Sequence, residues 1–356
     1  MAALVETITS KRASQMHHLS DAPRSIDKSR EPLRWRRRQP VPLTAALSIG
    51  LGVIWIIDGA LQLQPAQFGS GFAVGIEMHA MAQPSAVAHL ELAFGRLTSS
   101  AVAPSTVLIA TVQLLIGATL LRRRTRFLGL AASIPWALAV WAVGEGFGGI
   151  ATGYAMLPTG APGAALAYAL LATLLVLDLR SGNDALRRRN FRCTWTAMWV
   201  LAAGLQLGSR VPLALLFRAN FNETAGGEPG ALSGLDHHLA EITSAHAVAT
   251  TVVLAFVELL LAFAPWLGHE RLTMVTTLGV LSIFWVGGEN LGGVLTWSAS
   301  DVGIMPLLAL TALGSFDVPI PSGAYQSLAE RPTLRRATTR LAPRPGSHST
   351  AALVEQ

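Results

Sequence analysis

One pattern of residues occurs twice in this chain, with an offset of 144 positions between the copies. The copies are Trp141, Gly144, Glu145, Gly148, Gly149 and Thr152, then Trp285, Gly288, Glu289, Gly292, Gly293 and Thr296. At the same offset, Trp55, Leu61, Gln62 and Leu63 recur as Trp199, Leu205, Gln206 and Leu207, and Pro162 recurs as Pro306. A spacing that holds across separate segments predicts a duplicated structural unit.

The composition is that of an integral membrane protein. Hydrophobic residues make up 51% of the 356 positions and charged residues 13%, whereas charged residues are about a quarter of a typical soluble domain. A helix needs about 20 apolar residues to cross a bilayer, and such runs occur repeatedly. We therefore predict an all-α integral membrane bundle of eight transmembrane helices, at roughly 41–63, 101–121, 127–148, 161–179, 194–216, 245–267, 272–292 and 303–320.

The distribution of basic residues supports this count. Eight spans place both termini on one side of the membrane, and of the 27 Lys and Arg residues only Arg96, Arg210 and Arg218 then fall on the other side. Because positive residues are retained in the cytoplasm, we predict that both termini are cytoplasmic. Topology thus accounts for the net charge of +6. The expected partner is the lipid bilayer, and no nucleic-acid partner is expected.

The offset divides the chain into two parallel four-helix repeats, 41–180 and 194–320, joined by a basic cytoplasmic linker, 181–193. Each repeat has an even number of spans, so both have the same orientation and are related by an axis along the membrane normal. The polar, aperiodic ends are predicted to be disordered in the cytoplasm, as a basic arm over 1–40 and a tail over 321–356.

Both copies of the pattern place a carboxylate inside an apolar, glycine-rich stretch. Glu145 and Glu289 end the third helix of each repeat, near the outer membrane face. Gln62 and Gln206 end the first helices at a similar height. The four side chains are therefore expected to ring the outer mouth between the repeats, as a site for a cation, a proton or a polar substrate.

A packing role is the alternative for the same pattern. Gly144 and Gly148 form a GxxxG pair, as do Gly288 and Gly292. Such pairs let helix backbones approach closely. On this interpretation the glutamate beside each pair bonds only to the backbone of a neighbouring helix.

Further polar residues lie inside the predicted spans. Glu258 lies near the middle of the sixth helix, and Gln113 takes the corresponding place in the first repeat. A charge at the bilayer centre costs about 3 kcal/mol or more and by default marks a functional site; the alternative is a protonated Glu258 that bonds to a neighbour such as Gln113. Asp58 lies one turn before Gln62, and any site that uses it is asymmetric because the second repeat has Ala202 there.

The outer loops carry histidines and acidic residues. Imidazole with carboxylate suits zinc, and imidazole with thioether suits copper, but the spacing matches no defined metal motif. Ordinary polar loop residues are therefore the other interpretation. The candidate ligands are His79, His89, His237, His238 and Glu241. The chain contains no recognised cofactor motif and none that indicates an enzyme.

The repeat unit resembles the four-helix DoxX-like membrane proteins in length and helix number. The stretch Trp55-Ile56-Ile57-Asp58-Gly59-Ala60-Leu61-Gln62 is similar to their first helix. The region 41–320 is also similar to uncharacterised polytopic membrane proteins of actinobacteria that carry WxxDGxLQxQP and GExxGG stretches. DoxX-like proteins are associated with quinone-linked or thiol-linked redox complexes. The resemblance thus implies a multi-pass protein of the bacterial plasma membrane with a membrane or redox partner. The chain departs from this family by fusing two units and by lacking redox cysteines.

Three functions remain open from the sequence. The first is a small-molecule or proton-coupled carrier, in which Glu145 and Glu289 bind the ligand and Glu258 with Asp58 relays protons inward. The second is a membrane subunit of a quinone-linked oxidoreductase, in which the outer histidines place a metal or a quinone headgroup. The third is a structural scaffold without a site of its own.

Overall fold

The structure is a computed structural model that describes residues 43–157, 160–209, 211–268 and 270–316. Every regular element in these ranges is helical, which confirms the predicted all-α class. The α-helices are α1 Leu43–Leu61, α2 Ser70–His79, α3 Ser85–Ser100, α4 Val102–Leu121, α5 Arg126–Val143, α6 Ala164–Ser181, α7 Asp184–Leu207, α8 Leu213–Thr224, α9 Gly230–Ala245, α10 Ala247–Phe263, α11 Glu270–Gly287 and α12 Met305–Ser315. Short 3₁₀ segments lie at Pro65–Phe68, Gly146–Gly149, Ala264–Trp266 and Asn290–Thr296. The predicted arm 1–40 and tail 321–356 lie outside the described residues.

Several of these helices are long and apolar enough to cross a membrane. They are α1, α4, α5, α6 and the segment Ala247–Trp266 that contains α10. A further span results if α11 and the 3₁₀ segment that follows it are counted as one, although the axes of the two are bent by 42° relative to each other. These helices indicate a membrane protein, as the composition predicts. Helices also occur at the remaining predicted positions, but α7 begins with a run of arginines and α12 has only 11 residues.

The predicted basic linker 181–193 is for the most part helical. Asn183 caps α7 through its side-chain oxygen, which accepts hydrogen bonds from the backbone N–H groups of Ala185 and Leu186, at 3.0 and 3.1 Å. An oxygen in this position satisfies donors that have no partner within the helix. The helix therefore starts at Asp184 and ends at Leu207, where the prediction was a span over 194–216.

The segments that follow α1 and α7 contain helices that the hydropathy pattern does not reveal. Helix α2 packs on α3, and α8 packs on α9. Both α3 and α9 have 16 residues and follow a proline, Pro84 and Pro229, which lie at an offset of 145. A proline just before a helix fits because its missing N–H would have had no partner there. These helices are too polar to register as spans.

One hydrophobic core runs through both halves of the chain. Helices α1, α6, α7 and α12 pack against one another at the junction between the halves. Large side chains there are fully buried, among them Trp55, Trp195, Trp199 and Phe191. Helices α1, α6, α7 and α12 thus form the centre, and α4, α5, α10 and α11 pack around them.

The repeated glycines form a left-handed turn directly after α5 and again after α11. Phe147 and Gly148 have φ values of 55° and 63°, and Leu291 and Gly292 have values of 58° and 70°. This region of φ costs a residue with a Cβ about 1–2 kcal/mol, while glycine adopts it freely. The glycines therefore end α5 at Val143 and α11 at Gly287, whereas the predicted spans extended to residues 148 and 292.

The first turn lies against the loop that precedes α6, and the second lies against the loop that precedes α12. A Cβ on Gly148 would overlap the carbonyl of Pro162, and a Cβ on Gly292 would overlap that of Val302. These glycines serve a close backbone approach between a turn and a loop. The interpretation of Gly144 with Gly148, and of Gly288 with Gly292, as GxxxG helix-packing pairs is therefore wrong.

The tryptophan of the pattern fixes the same loop. Trp141 Nε1 donates to Pro162 O at 2.7 Å, and Trp285 Nε1 donates to Val302 O at 2.8 Å. Pro162 therefore corresponds to Val302, at an offset of 140 residues, and not to Pro306 as the constant spacing suggested. Pro306 instead lies in the first turn of α12. The loop before α12 is shorter than the loop before α6. The offset of 144 residues therefore holds within the pattern but not in the loops that follow it.

The glutamate in each copy of the pattern caps the N-terminus of the next α-helix, which is α6 in the first half and α12 in the second. Glu145 accepts hydrogen bonds from the backbone N–H of Ala165, at 3.0 and 3.3 Å to its two oxygens. Glu289 accepts from Ile304 and Met305, at 3.1 and 3.2 Å. A carboxylate at a helix N-terminus satisfies unpaired N–H groups and complements the helix dipole. The two carboxylates thus hold the N-termini of α6 and α12.

We expect Gly148→Ala and Gly292→Ala each to lower the free energy of unfolding by at least about 2 kcal/mol, because left-handed backbone and steric overlap add together. The measurement is the thermal unfolding midpoint of the purified protein in detergent. Gly204→Ala and Gly279→Ala are matched controls, since both glycines lie in helices and a Cβ on either meets only open space. Those controls should be neutral or slightly stabilising. Unchanged midpoints for the turn variants would contradict this account.

Candidate functional site

A cavity of about 370 Å³ lies within the first half of the chain, against a loop of the second half. Its walls are mostly apolar side chains of α3, α4 and α5. The loop before α12 closes it with Ser300 and Asp301. Cavities of a few hundred Å³ with apolar walls and a few polar groups are typical of small-molecule sites.

Asp58 is the central polar group of this cavity. Its side chain is 1% exposed. One oxygen accepts a hydrogen bond from the Tyr168 hydroxyl, and the other accepts from the backbone N–H of Val302 at 3.2 Å. Asp58 therefore joins α1 and α6 of the first half to the loop before α12 of the second. Its counterpart Ala202 is a buried apolar residue, so the site is asymmetric, as the sequence predicted.

Other carboxylates lie close to Asp58. Asp301 and Glu145 line the same cavity as Asp58. The structure therefore brings together acidic groups from both halves. The pattern predicted Glu145 and Glu289, but it did not reveal Asp301 or Tyr168, which recur at no matched position.

Two buried amides face the same cavity. Gln62 and Gln113 both line it and are 1% and 6% exposed. Among the described residues, Gln62 Nε2 and Gln113 Oε1 have no hydrogen-bond partner. A buried polar group without a partner costs about 1–3 kcal/mol. These two amides are thus available to a bound molecule.

The predicted ring of two glutamates and two glutamines forms only in part. Glu145 and Gln62 line the cavity, whereas Glu289 and Gln206 do not. The amide of Gln206 donates to Thr251 O at 3.1 Å, within its own half. Glu145 and Glu289 each cap a helix of their own half. A ligand-binding role for these two glutamates stays a prediction beside the structural role that the contacts give them.

Glu258 is fully buried in α10 and does not line the cavity. Gln206 contacts Thr251 and Trp195 contacts Leu261, which fixes the antiparallel register of α7 and α10. That register places Glu258 level with Trp199. Neither the carboxylate oxygens of Glu258 nor Trp199 Nε1 have a hydrogen-bond partner among the described residues. The predicted proton relay from Asp58 to Glu258 stays a prediction.

The candidate metal ligands do not form a cluster. No group of three or more His, Cys, Asp or Glu side chains in the described ranges is placed to hold a metal ion. His79 Nδ1 lies 2.8 Å from Gly144 O, and His237 Nδ1 lies 3.1 Å from Asn222 Oδ1. The other three predicted ligands, His89, His238 and Glu241, are exposed on α3 and α9. No metal proposal follows from these contacts.

A second cavity of about 340 Å³ adjoins the first. Ile76, His79, Gly144 and Ser300 line both. Gln67 lies in the second cavity and donates to Ser298 O across the two halves. The two cavities together make a recess between the end of α5 and the loop before α12. The second cavity, whose lining is the more polar, is the part of this recess farther from Asp58.

No family model, curated protein or solved structure matches this chain. The resemblance to DoxX-like proteins rests on the sequence alone and stays a prediction.

The turns after α5 and α11 also contact a buried carboxylate each, but the residues that make this contact differ between the two halves. In the second half Asn290 donates to Asp236. In the first half the corresponding residues are Gly146 and Glu91, and a Cβ on Gly146 would overlap the Glu91 carboxylate. The longer acid thus takes the space that the asparagine side chain occupies in the other half.

We expect Gly146→Asn alone to destabilise the protein, because the new side chain meets Glu91. The double variant Glu91→Asp with Gly146→Asn should recover most of the loss, since it reproduces the pair of Asp236 and Asn290. The measurement is a double-mutant cycle of unfolding midpoints, with an expected coupling of about 1–2 kcal/mol. Additive effects of the two substitutions would contradict the correspondence.

Glu91 should also make stability depend on pH. Its oxygens have no hydrogen-bond partner among the described residues, and burial raises the pKa of this carboxyl from its ordinary value of 4.5 to about 7. Between about pH 5 and pH 7 the folded protein keeps a proton that the unfolded chain has lost, so this contribution to stability falls as pH rises. Glu91→Gln should flatten the dependence in that window. The exposed control Glu241→Gln should not, and equal slopes in all three proteins would contradict the assignment.

Proposed function

We propose that this chain is a duplicated eight-span membrane protein that binds a small, largely apolar molecule in the cavity around Asp58 and carries it across the plasma membrane. The duplication is supported by helix bounds. Helices α5 and α11 are shifted by 144 residues at both ends, and α3 and α9 by 145. The matched hydrogen bonds of Trp141 and Trp285, and the matched caps of Glu145 and Glu289, add to this support.

One observation carries the proposal of a ligand site. A fully buried aspartate lies in an apolar cavity, at the contact between the two halves, where it accepts hydrogen bonds from both. A carboxylate in such a place is costly unless it has a function or dense hydrogen bonding. Tyr168 and Val302 supply one bond each, and the second half manages with an alanine at the same position. Packing alone therefore does not require Asp58.

The walls of the cavity favour entry from the lipid. Leu97 of α3 and Leu108 of α4 line it and are 65% and 63% exposed. Leu108 lies inside a helix long and apolar enough to span the membrane, where exposed side chains contact acyl chains, and Leu97 lies just before that helix. A molecule with an apolar body would thus reach Asp58 from the membrane through the gap between α3 and α4.

The position of Asp58 favours a carrier over a static binding protein. Its bond to Val302 belongs to the contact between the halves, and carriers built from repeats place their sites at such contacts. Movement of one half against the other would expose the cavity to the other side. A quinone headgroup would fit the same apolar walls, so a DoxX-like redox subunit is the competing function. In a pure scaffold, Asp58 would serve only to join α1 and α6 to the loop before α12.

Cysteine accessibility tests the carrier function. The single cysteine, Cys193, is exposed, so Cys193→Ala provides a background for Ser105→Cys, which introduces a thiol into the cavity wall. A membrane-impermeant maleimide should label this thiol both in right-side-out and in inverted vesicles. Thr111→Cys is the matched control, because Thr111 lies on the exposed face of the same helix outside the cavity. It should stay unlabelled from both sides.

Other labelling patterns would count against the proposal. Labelling of Ser105→Cys from one side only would favour a static binding site, such as that of a redox subunit. Absence of labelling from both sides, with a correctly folded protein, would favour a scaffold.

A further inference from the structure

The charge of the cavity is one-sided. Asp58, Glu145 and Asp301 line it, and no Lys or Arg does so among the described residues. The basic residues of the two halves lie elsewhere, chiefly in loops at the opposite end of the spans. An anion would meet several carboxylates and no Lys or Arg, with the imidazole of His79 as the basic side chain of the described lining, whereas a cation would be attracted by all the carboxylates. The electrostatics of the cavity therefore select against anionic ligands.

Aromatic rings surround the same carboxylates. The rings of Trp55 and Tyr168 lie 4.0 Å apart at an angle of 32°, next to Asp58. Trp136 and Phe94 form further parts of the wall. The face of an aromatic ring attracts a cation by about 0.5–2 kcal/mol, with the larger value where water is excluded. Such walls hold a cation and an apolar body equally well.

The buried amides add an independent indication of a ligand. Gln62 and Gln113 are more than nine-tenths buried, face the cavity, and each has a polar atom without a partner in the described part of the chain. The carbonyl oxygen of an amide accepts hydrogen bonds, and the Gln113 oxygen is the one left over. An ammonium group has several N–H donors and no acceptor. It would satisfy Gln113 Oε1 and the carboxylates together, whereas it has no acceptor for Gln62 Nε2, so of the two amides Gln113 is the one that favours a cation.

We infer that the ligand of this cavity is a lipophilic organic cation, that is, a protonated amine on an apolar body. This inference rests on the proposed function, because it names the substrate class of the same site. Asp58 and Asp301 bind the ammonium group, Gln113 accepts a further hydrogen bond, and Trp55 with the leucines at the lipid-facing opening contacts the apolar body. Glu145 contributes its charge while it caps α6.

A series of three probes of equal shape tests the inference. Phenylbutylamine is protonated at neutral pH, as lysine is; phenylbutanol is neutral and phenylbutanoate is anionic. Their binding to the full-length protein is measured by equilibrium dialysis in nanodiscs of uncharged lipid, with empty nanodiscs subtracted. The amine should bind at least about tenfold more tightly than the alcohol, the size of one favourable charge interaction. The anion should show no saturable binding.

The variants separate charge from cavity shape. Asp58→Asn with Asp301→Asn should reduce amine binding at least about tenfold and leave alcohol binding within about twofold. The substitutions remove the charges and keep the side-chain volumes. Each new amide oxygen can still accept from the backbone N–H of Val302 or Gly303, and each new NH2 group can donate to the hydroxyl of Tyr168 or Ser300. Glu91→Gln is the matched control, since it neutralises a buried carboxylate that does not line the cavity. It should bind the amine as the unaltered protein does.

The outcomes are distinguishable. Equal binding of the amine and the alcohol, or tighter binding of the anion, would overturn the cation inference while the cavity remains a ligand site. Absence of saturable binding for all three probes, together with absence of labelling at Ser105→Cys, would overturn the proposed function as well. Loss of amine binding in Glu91→Gln would show that the effect of the double variant is not specific to the cavity.

Discussion

The capping of two helix N-termini by buried carboxylates is the interaction on which the rest of this structure depends. Inside a membrane bundle an unpaired backbone N–H costs several kcal/mol, and α6 and α12 both begin within the packed core. Glu145 and Glu289 satisfy these groups from the ends of the preceding helices. The same contacts fix the loops that precede α6 and α12. One of those loops carries Asp301 and Val302, so the caps also position the partners of Asp58.

The two halves share this device and differ where a ligand would bind. The position of Asp58 corresponds to that of Ala202 in the second half, and the positions of Glu91 and Gly146 correspond to those of Asp236 and Asn290. Trp55 Nε1 bonds to Ser133 at 2.9 Å, whereas Trp199 Nε1 has no partner in the described ranges. A duplicated bundle can keep one half for packing and adapt the other for binding. The concentration of carboxylates, amides and aromatic rings in the first half is consistent with such a division.

The second half nevertheless takes part in the site. Ser300, Asp301 and Val302 close the cavity of the first half, and Gln67 of the first half bonds to Ser298. A ligand at Asp58 would therefore contact both halves at once. Its charge would act on the contact between them, and this contact is the one that has to change if the protein moves a molecule across the membrane.

The sequence by itself determined the all-α class and the apolar helices of a membrane protein, because apolar runs are local properties of the chain. It also predicted a repeated unit and marked Asp58 and Gln62 as candidate site residues, from residue spacing and from polar positions within apolar runs. It also located Glu145 and Glu289, but as ligand groups or helix-packing neighbours. Only the tertiary structure showed that they cap α6 and α12, since the N–H groups concerned lie about 15–20 residues away along the chain. The cavity, Asp301 and Tyr168 likewise depended on packing: a loop of the second half meets α1 of the first, and no spacing within one half encodes that contact. The left-handed turns were hidden for a related reason, because glycine serves helix packing and helix termination equally well until its backbone conformation is known.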